Sequence, residues 1–93
     1  MTPQPPIDHT FYATIGVEVK GETWACVEIP GSVELFGSLK PVRVDATVDE
    51  VALPNVGLLP TGAGELMLSL NAHTRKKLGK DVGDRVSVRL QSR

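Results

Sequence analysis

The amino-acid sequence predicts a mainly β protein, a small closed β-barrel with one or two short helices. Three runs of alternating apolar and polar residues, at 11–19, 42–48 and 86–90, support this prediction, because a period of two places one face of a strand in the core. Glycine and proline separate these runs, and only two short segments have a helical composition. Closure would also remove the exposed strand edges that a small sheet otherwise presents.

The chain has 93 residues, which is enough for one domain and too few for two. Residues 1–8 are expected to form a flexible N-terminal tail because three of them are prolines, and residues 9–93 are expected to form the barrel. No segment approaches the roughly 20 apolar residues of a membrane-spanning helix. Cys26 is the only cysteine, so an intrachain disulfide is excluded and a cytoplasmic location is expected.

The first half of the domain is predicted to begin with a hairpin. The strand at 11–20 is followed by a turn at Gly21 and a returning strand at 24–29. Proline at position 30 ends that strand because it offers no N–H group. Ser32 is expected to cap one helical turn that ends at Gly37. The alternating run at 42–48 is the next predicted strand.

The second half is predicted to begin with loops over residues 50–64, because two prolines and three glycines interrupt this segment. A short extended piece is expected within it at 56–59. After a strand at 66–70, Asn71 is expected to cap a helix that Gly79 terminates. The alternating run at 86–90 is the last predicted strand.

The charge balance argues against a nucleic-acid partner and against anchoring to a membrane surface. The sequence has 10 basic and 11 acidic residues and a net charge of −1, whereas both kinds of binding depend on an excess of lysine and arginine. One basic cluster stands out, formed by Arg75, Lys76 and Lys77 with Lys80. We interpret it as a solvated helix end that complements the helix dipole, with an anionic ligand as the alternative.

The residue types that carry chemistry form no recognisable constellation. His9 and His73 have no partner at metal-ligand spacing, and Cys26 is expected to be a small buried residue. The glycine-rich segment 59–65 lacks the Gly-Lys-Ser/Thr of a phosphate-binding loop and leads into a strand, so it is predicted to be a turn. The sequence therefore indicates no catalytic residue, no metal and no cofactor.

Trp24 is the best candidate for the wall of a ligand pocket, because a lone large aromatic residue offers an apolar ring with one polar N–H. If its strand pairs with the strand of Arg43, then Glu28, Arg43 and Asp45 lie near it. The alternative is that Trp24 covers one end of the barrel core. The candidate ligand-binding set consists of six residues: Trp24, Glu28, Arg43, Asp45, Arg75 and Lys76.

Two resemblances to known families extend this reading. Residues 70–79 and 82–86 resemble the strand–helix–strand half of AbrB and MazE-type swapped-hairpin barrels, which are dimeric transcription factors or antitoxins. A longer resemblance, to the bacterial domain-of-unknown-function family numbered 1905, spans nearly the whole chain. Its pattern is seen in Phe11-x-Ala13, Trp24, 27–30, 36–37, Val42-x-Val44, 59–64, 66–68, 75–79 and 83–84. This second resemblance implies a double-split type of closed barrel in a single chain and implies no activity or catalytic residue.

Three hypotheses about function follow. The first is a non-catalytic module that recognises a small ligand or a protein, as a monomer or homodimer. The second is a small enzyme or accessory protein with a pocket at the barrel mouth, containing Trp24, Glu28 and Arg43. The third, from the AbrB resemblance, is a DNA-binding or antitoxin-like protein, which the net charge of −1 disfavours.

Overall fold

A computed structural model describes residues 7–93 of the chain. It contains eight strands and two helices: β1 (Asp8–Thr14), β2 (Val17–Val19), β3 (Glu22–Trp24), β4 (Cys26–Ile29), α1 (Ser32–Phe36), β5 (Val42–Val48), β6 (Val51–Pro60), β7 (Leu66–Ser69), α2 (Ala72–Leu78) and β8 (Arg85–Ser92). Of the expected tail, residues 1–6 lie outside the described part of the chain, and Asp8 is the first residue of β1.

Six of the strands form one antiparallel sheet in the order β1-β8-β5-β6-β7-β4. The two ends of this sheet meet where the Gly16 N–H donates to the Cys26 carbonyl at 2.8 Å. The sheet is therefore a nearly closed barrel. This confirms the predicted fold class, a mainly β barrel with two short helices.

The core fills the inside of this barrel. Because side chains alternate along a strand, every second residue of each strand points inward. The buried inner residues are Phe11, Ile15, Val27, Ile29, Val44, Ala46, Val48, Leu58, Leu66, Leu68, Leu70, Val86, Val88 and Leu90. The three alternating runs of the sequence all contribute to this set.

The first hairpin is divided where the sequence predicts two continuous strands. Gly16, with φ of 134°, separates β1 from β2, and Ala25 separates β3 from β4. The predicted turn is present, since Lys20 and Gly21 both have positive φ between β2 and β3. Val17 and Val19 of β2 form a second small buried cluster with Cys26 of β4 and Met67 of β7.

The prediction of loops over residues 50–64 is wrong for residues 51–60, because β6 runs for ten residues from Val51 to Pro60. The extended piece expected at 56–59 is part of this longer strand, and residues 61–64 form a loop as predicted. A β-bulge explains the difference. The pairing register shifts so that Pro54 and Asn55 together lie opposite Asp45, and Asn55 has a φ of 53°. Because a bulged residue has no ladder partner, the missing N–H of Pro54 leaves the strand intact.

Both helices are present, but the predicted role of Ser32 is wrong. Ser32 is the first residue of α1 and makes no side-chain cap. Its own N–H donates to Glu65 Oε2 at 3.0 Å, while its buried hydroxyl accepts the Leu66 N–H at 3.0 Å. The predicted cap of α2 is confirmed, since Asn71 Oδ1 accepts the Thr74 N–H at 2.8 Å.

The two ends of the described chain lie side by side. The Ser92 N–H donates to the Ile7 carbonyl at 2.9 Å, and the Ile7 N–H donates to the Ser92 hydroxyl at 2.9 Å. These bonds extend the pairing of β1 with β8 by one residue beyond Asp8.

Candidate functional site

The predicted pocket around Trp24 is not assembled, because the strand pairing on which it depends is absent. β4 pairs with β7, whereas β5 pairs with β6 and β8. Two strands separate β4 from β5 in either direction around the barrel. Trp24 and Glu28 therefore do not share a site with Arg43 and Asp45.

Trp24 lies on the β2–β3 hairpin rather than over an end of the barrel core. It pairs with Val17, so the two side chains lie on the same face of the hairpin. Its side chain is 41% exposed and belongs to neither buried cluster of the described residues. Glu28 is exposed on β4, opposite Met67.

Arg43 and Asp45 lie together at the bulge between β5 and β6. Arg43 Nη1 donates to the Asn55 carbonyl at 2.9 Å, and Asp45 Oδ1 accepts the Asn55 N–H at 2.9 Å. Arg93 joins this group, with its Nε 3.9 Å from Asp45 Oδ1. Two residues of the predicted ligand-binding set, Arg43 and Asp45, thus lie at the bulge beside Arg93, which is distant from them in sequence.

A cleft of about 330 Å³ opens beside the start of β5. β8 pairs with β5 only as far as Val44, which lies opposite Ser92, so Val42 and Arg43 extend beyond the end of β8. Three cationic residues line the cleft: Lys40, Arg43 and Arg93. Phe36, Pro41 and Val42 supply an apolar wall beside these cations.

Sequence reasoning found Arg43 but missed Lys40 and Arg93. These residues are distant in sequence, and no motif links them. Arg93 reaches the cleft only because β8 lies against β5 in the sheet. The one signal in the sequence was the placement of both Lys40 and Arg43 around Pro41, at the start of an alternating run.

The basic cluster near α2 is partly neutralised. Arg75 Nε lies 3.1 Å from Asp81 Oδ1, and its Nη1 donates to the Leu70 carbonyl. Lys80 Nζ lies 2.8 Å from Asp49 Oδ2. Lys76 and Lys77 are exposed at the end of the helix.

The other residues considered in the sequence are Cys26 and the glycine-rich segment 59–65. Burial raises the pKa of the Cys26 thiol. In the glycine-rich segment, Thr61 donates its N–H to the Glu65 carbonyl and its hydroxyl oxygen accepts the Ala63 N–H.

Within residues 7–93, no three His, Cys, Asp or Glu side chains are grouped as a metal site would require. In the same part of the chain, neither helix has the length or the apolar character to cross a bilayer.

Fold and cleft together define the class of this protein, a small barrel domain of two short helices and eight strands with a cationic cleft at one end. Residues 11–90 match the model of the family described as Domain of unknown function (DUF1905), and the chain belongs to that family. The longer of the two sequence resemblances is thereby confirmed. A search of curated proteins gives no match.

Proposed function

We propose that this domain is a non-catalytic binding module that holds a small organic anion in the cleft lined by Lys40, Arg43 and Arg93. The observation that supports the proposal is the convergence of these three cations from two distant segments of the chain. Among the side-chain carboxylates of residues 7–93, only that of Asp45 lies within 4 Å of a cationic nitrogen of these three residues. The cleft therefore has an excess of positive charge although the whole chain has a net charge of −1.

The chemistry of the lining favours a ligand with a carboxylate or phosphate group and an apolar body. A guanidinium group is planar and offers parallel N–H donors that match the two oxygens of such a group. Phe36, Pro41 and Val42 lie beside the cations and would cover the apolar part. A volume of about 330 Å³ is at the lower end of the range for small-molecule sites, which is roughly 300–1,000 Å³.

The two rival hypotheses have less support. An enzyme using Trp24, Glu28 and Arg43 in one pocket would need residues that lie on opposite sides of the barrel. DNA binding through the α2 cluster would rely on Arg75 and Lys80, which already face carboxylates. A cytoplasmic location, which we also propose, accords with the single buried thiol of Cys26.

The test is a titration of the protein with benzoate, phthalate and phenyl phosphate. Amide chemical shifts locate the binding site, and calorimetry measures the affinity. Binding is expected to shift amides of residues 36–44 and 91–93. Lys40→Gln and Arg93→Gln are each expected to weaken binding about tenfold, which corresponds to about 1.4 kcal/mol. Lys76→Gln is the matched control, because it removes an exposed cation from α2, outside the cleft.

Shifts confined to α2, or equal affinity in Lys76→Gln and Arg93→Gln, would contradict the proposal. The same holds if none of the three probes shifts the cleft amides. Arg43 is not used as the variant, because its guanidinium also holds the Asn55 carbonyl and its loss would disturb the bulge.

A further inference from the structure

A second pocket, which we name the Arg85 pocket, lies at the start of β8, and we propose that it binds the phosphate group of a small phosphate monoester. The Arg85 pocket has a volume of about 380 Å³ and is lined by Tyr12, Asp49, Lys80, Arg85, Val86 and Ser87. It shares no residue with the cleft beside β5. The length of β8 separates Arg85 from Arg93 of that cleft, a distance of roughly 25 Å. The two sites are therefore distinct.

The guanidinium group of Arg85 is available to an anion. Each of the other arginines of residues 7–93 contacts an aspartate or a backbone carbonyl: Arg43, Arg75, Arg89 and Arg93. Arg85 instead lies over the ring of Tyr12, with its Cζ 5.2 Å from the ring centroid. This cation–π contact holds the guanidinium in place and does not depend on its N–H donors. Those donors can therefore bind two oxygens of one phosphate group.

The strand register explains why Tyr12 and Arg85 meet. Tyr12 lies opposite Ser87, and Thr14 lies opposite Arg85. Tyr12 and Arg85 are thus diagonal neighbours on the outer face of β1 and β8, within reach of each other's long side chains. Both residues are exposed, Tyr12 to 65%. A ligand can therefore reach the guanidinium from solvent without a movement of the backbone.

Lys80 and Ser87 supply further hydrogen-bond donors to the Arg85 pocket. Lys80 Nζ lies 2.8 Å from Asp49 Oδ2 and donates to the Arg85 carbonyl at 2.7 Å. An ammonium group has three N–H donors, so one remains for a ligand. The Ser87 N–H and carbonyl both bond to Asp49, while the Ser87 side chain lies beside Tyr12 and offers its hydroxyl.

The charge and the donors of the Arg85 pocket favour a phosphate over a carboxylate. A phosphate monoester carries a charge of about −1.5 to −2 at pH 7 and has three strong acceptor oxygens. The pocket has three kinds of donor, namely a guanidinium, an ammonium and a hydroxyl group. Its two cations exceed its one carboxylate, that of Asp49, which Lys80 already neutralises. A carboxylate has one oxygen fewer and would leave a donor unused.

The experiment is a titration of the full chain with inorganic phosphate and with glycerol phosphate, followed by the chemical shifts of the amides and of the arginine Nε–H groups. The Tyr12, Arg85 and Ser87 amides and the Arg85 Nε–H are expected to shift together. Arg85→Gln is expected to weaken binding about tenfold, because it removes the charge and the paired donors. Tyr12→Leu keeps that charge but removes the ring that positions it, and it is expected to weaken binding about threefold.

Lys40→Gln is the matched control, because it removes a cation from the cleft beside β5 and is expected to leave phosphate binding in the Arg85 pocket unchanged. Conversely, Arg85→Gln is expected to leave the binding of benzoate in that cleft unchanged, so the two proposals fail separately. Arg85→Lys keeps the charge without the planar fork and is expected to weaken binding about threefold. It tests the site even if Arg85→Gln does not fold.

Two results would overturn the proposal. One is phosphate-induced shifts that are spread over the exposed lysines and arginines or that leave the Arg85 Nε–H unmoved. The other is equal affinity for phosphate in the wild type and in the folded Arg85 variants.

Discussion

Lys80 and Asp49 form an ion pair that ties the end of α2 to the turn between β5 and β6, with Lys80 Nζ 2.8 Å from Asp49 Oδ2. The other carboxylate oxygen of Asp49 accepts the Ser87 N–H at 2.9 Å, and the Asp49 N–H donates to the Ser87 carbonyl. One residue thus links a helix, a turn and β8. Hydrogen bonding from Lys80, followed by that from Ser87, holds the pKa of Asp49 below its usual value of 3.8.

The Asp49 contacts predict a pH-dependent contribution to stability. A carboxyl group whose pKa is lowered by folding stabilises the protein fully above its unfolded pKa, and this contribution is lost as the pH falls through the folded pKa. Asp49→Asn should therefore lower the free energy of unfolding by about 1 kcal/mol at pH 7. Asparagine tolerates the positive φ of 51° at this position.

The measurement is urea unfolding of both proteins at pH 7 and at pH values below 3.8. The difference between wild type and Asp49→Asn should shrink at low pH. Because Arg89 also lowers the pKa of Asp8, the wild-type profile alone mixes two groups, and the comparison with the variant separates them. A difference that stays the same at both pH values would show that the Asp49 charge has no part in stability.

Ser32→Ala is predicted to destabilise the barrel by about 1–3 kcal/mol, because it removes a buried hydrogen-bond partner without replacing it. The Ser32 hydroxyl is fully buried and accepts the Leu66 N–H at 3.0 Å. Urea unfolding midpoints measure the effect. Ser38→Ala, on a half-buried serine with one weak 3.3 Å contact, is the control and should change stability by less than about 0.5 kcal/mol.

The Cys26 thiol is predicted to be inert in the native protein. Burial is the largest cause of its raised pKa, and a thiol must ionise and be accessible to react. Alkylation of the native chain near pH 8 should be far slower than alkylation in denaturant. Equal rates in the two states would mean that the cluster of Cys26, Met67, Val17 and Val19 is open to solvent.

Trp24 is predicted to be a minor contributor to stability in spite of its size. Trp24→Ala should cost no more than about 1 kcal/mol, because the side chain is 41% exposed and lies outside both clusters. Leu68→Ala, at a buried position of the core, should cost about 2–5 kcal/mol. Both are read from chemical denaturation curves, and similar losses in the two variants would place Trp24 in the core.

Local patterns predicted most of the fold, and their failures have physical causes. The alternation from Phe11 to Val19 marked the apolar side chains that pack into the interior, but alternation persists through a kink. It therefore concealed the break at Gly16, after which Val17 and Val19 join the second cluster and not the barrel core. Proline and asparagine at positions 54 and 55 are typical of loops, yet a bulge accommodates both within β6. Only the pairing with β5 determines that outcome, and pairing is not a local property of the sequence.

The candidate site was less predictable than the fold. Arg43 and Asp45 were found because they lie in a clear strand, and their association with Arg93 depends on the order of strands in the sheet. The expected link with Trp24 failed for the same reason, since neighbouring strands in sequence need not be neighbours in the barrel. Residue type suggested the chemistry, while topology determined which residues meet.

The hydrogen bonds between Ile7 and Ser92 give this barrel a single point of entry and exit for the polypeptide. A domain whose two ends lie side by side can be inserted into a surface loop of another protein, because the two cut ends of that loop then stay close together. Conversely, a short linker across these two residues would make a circular molecule, in which the Lys20–Gly21 turn offers a place to open new ends.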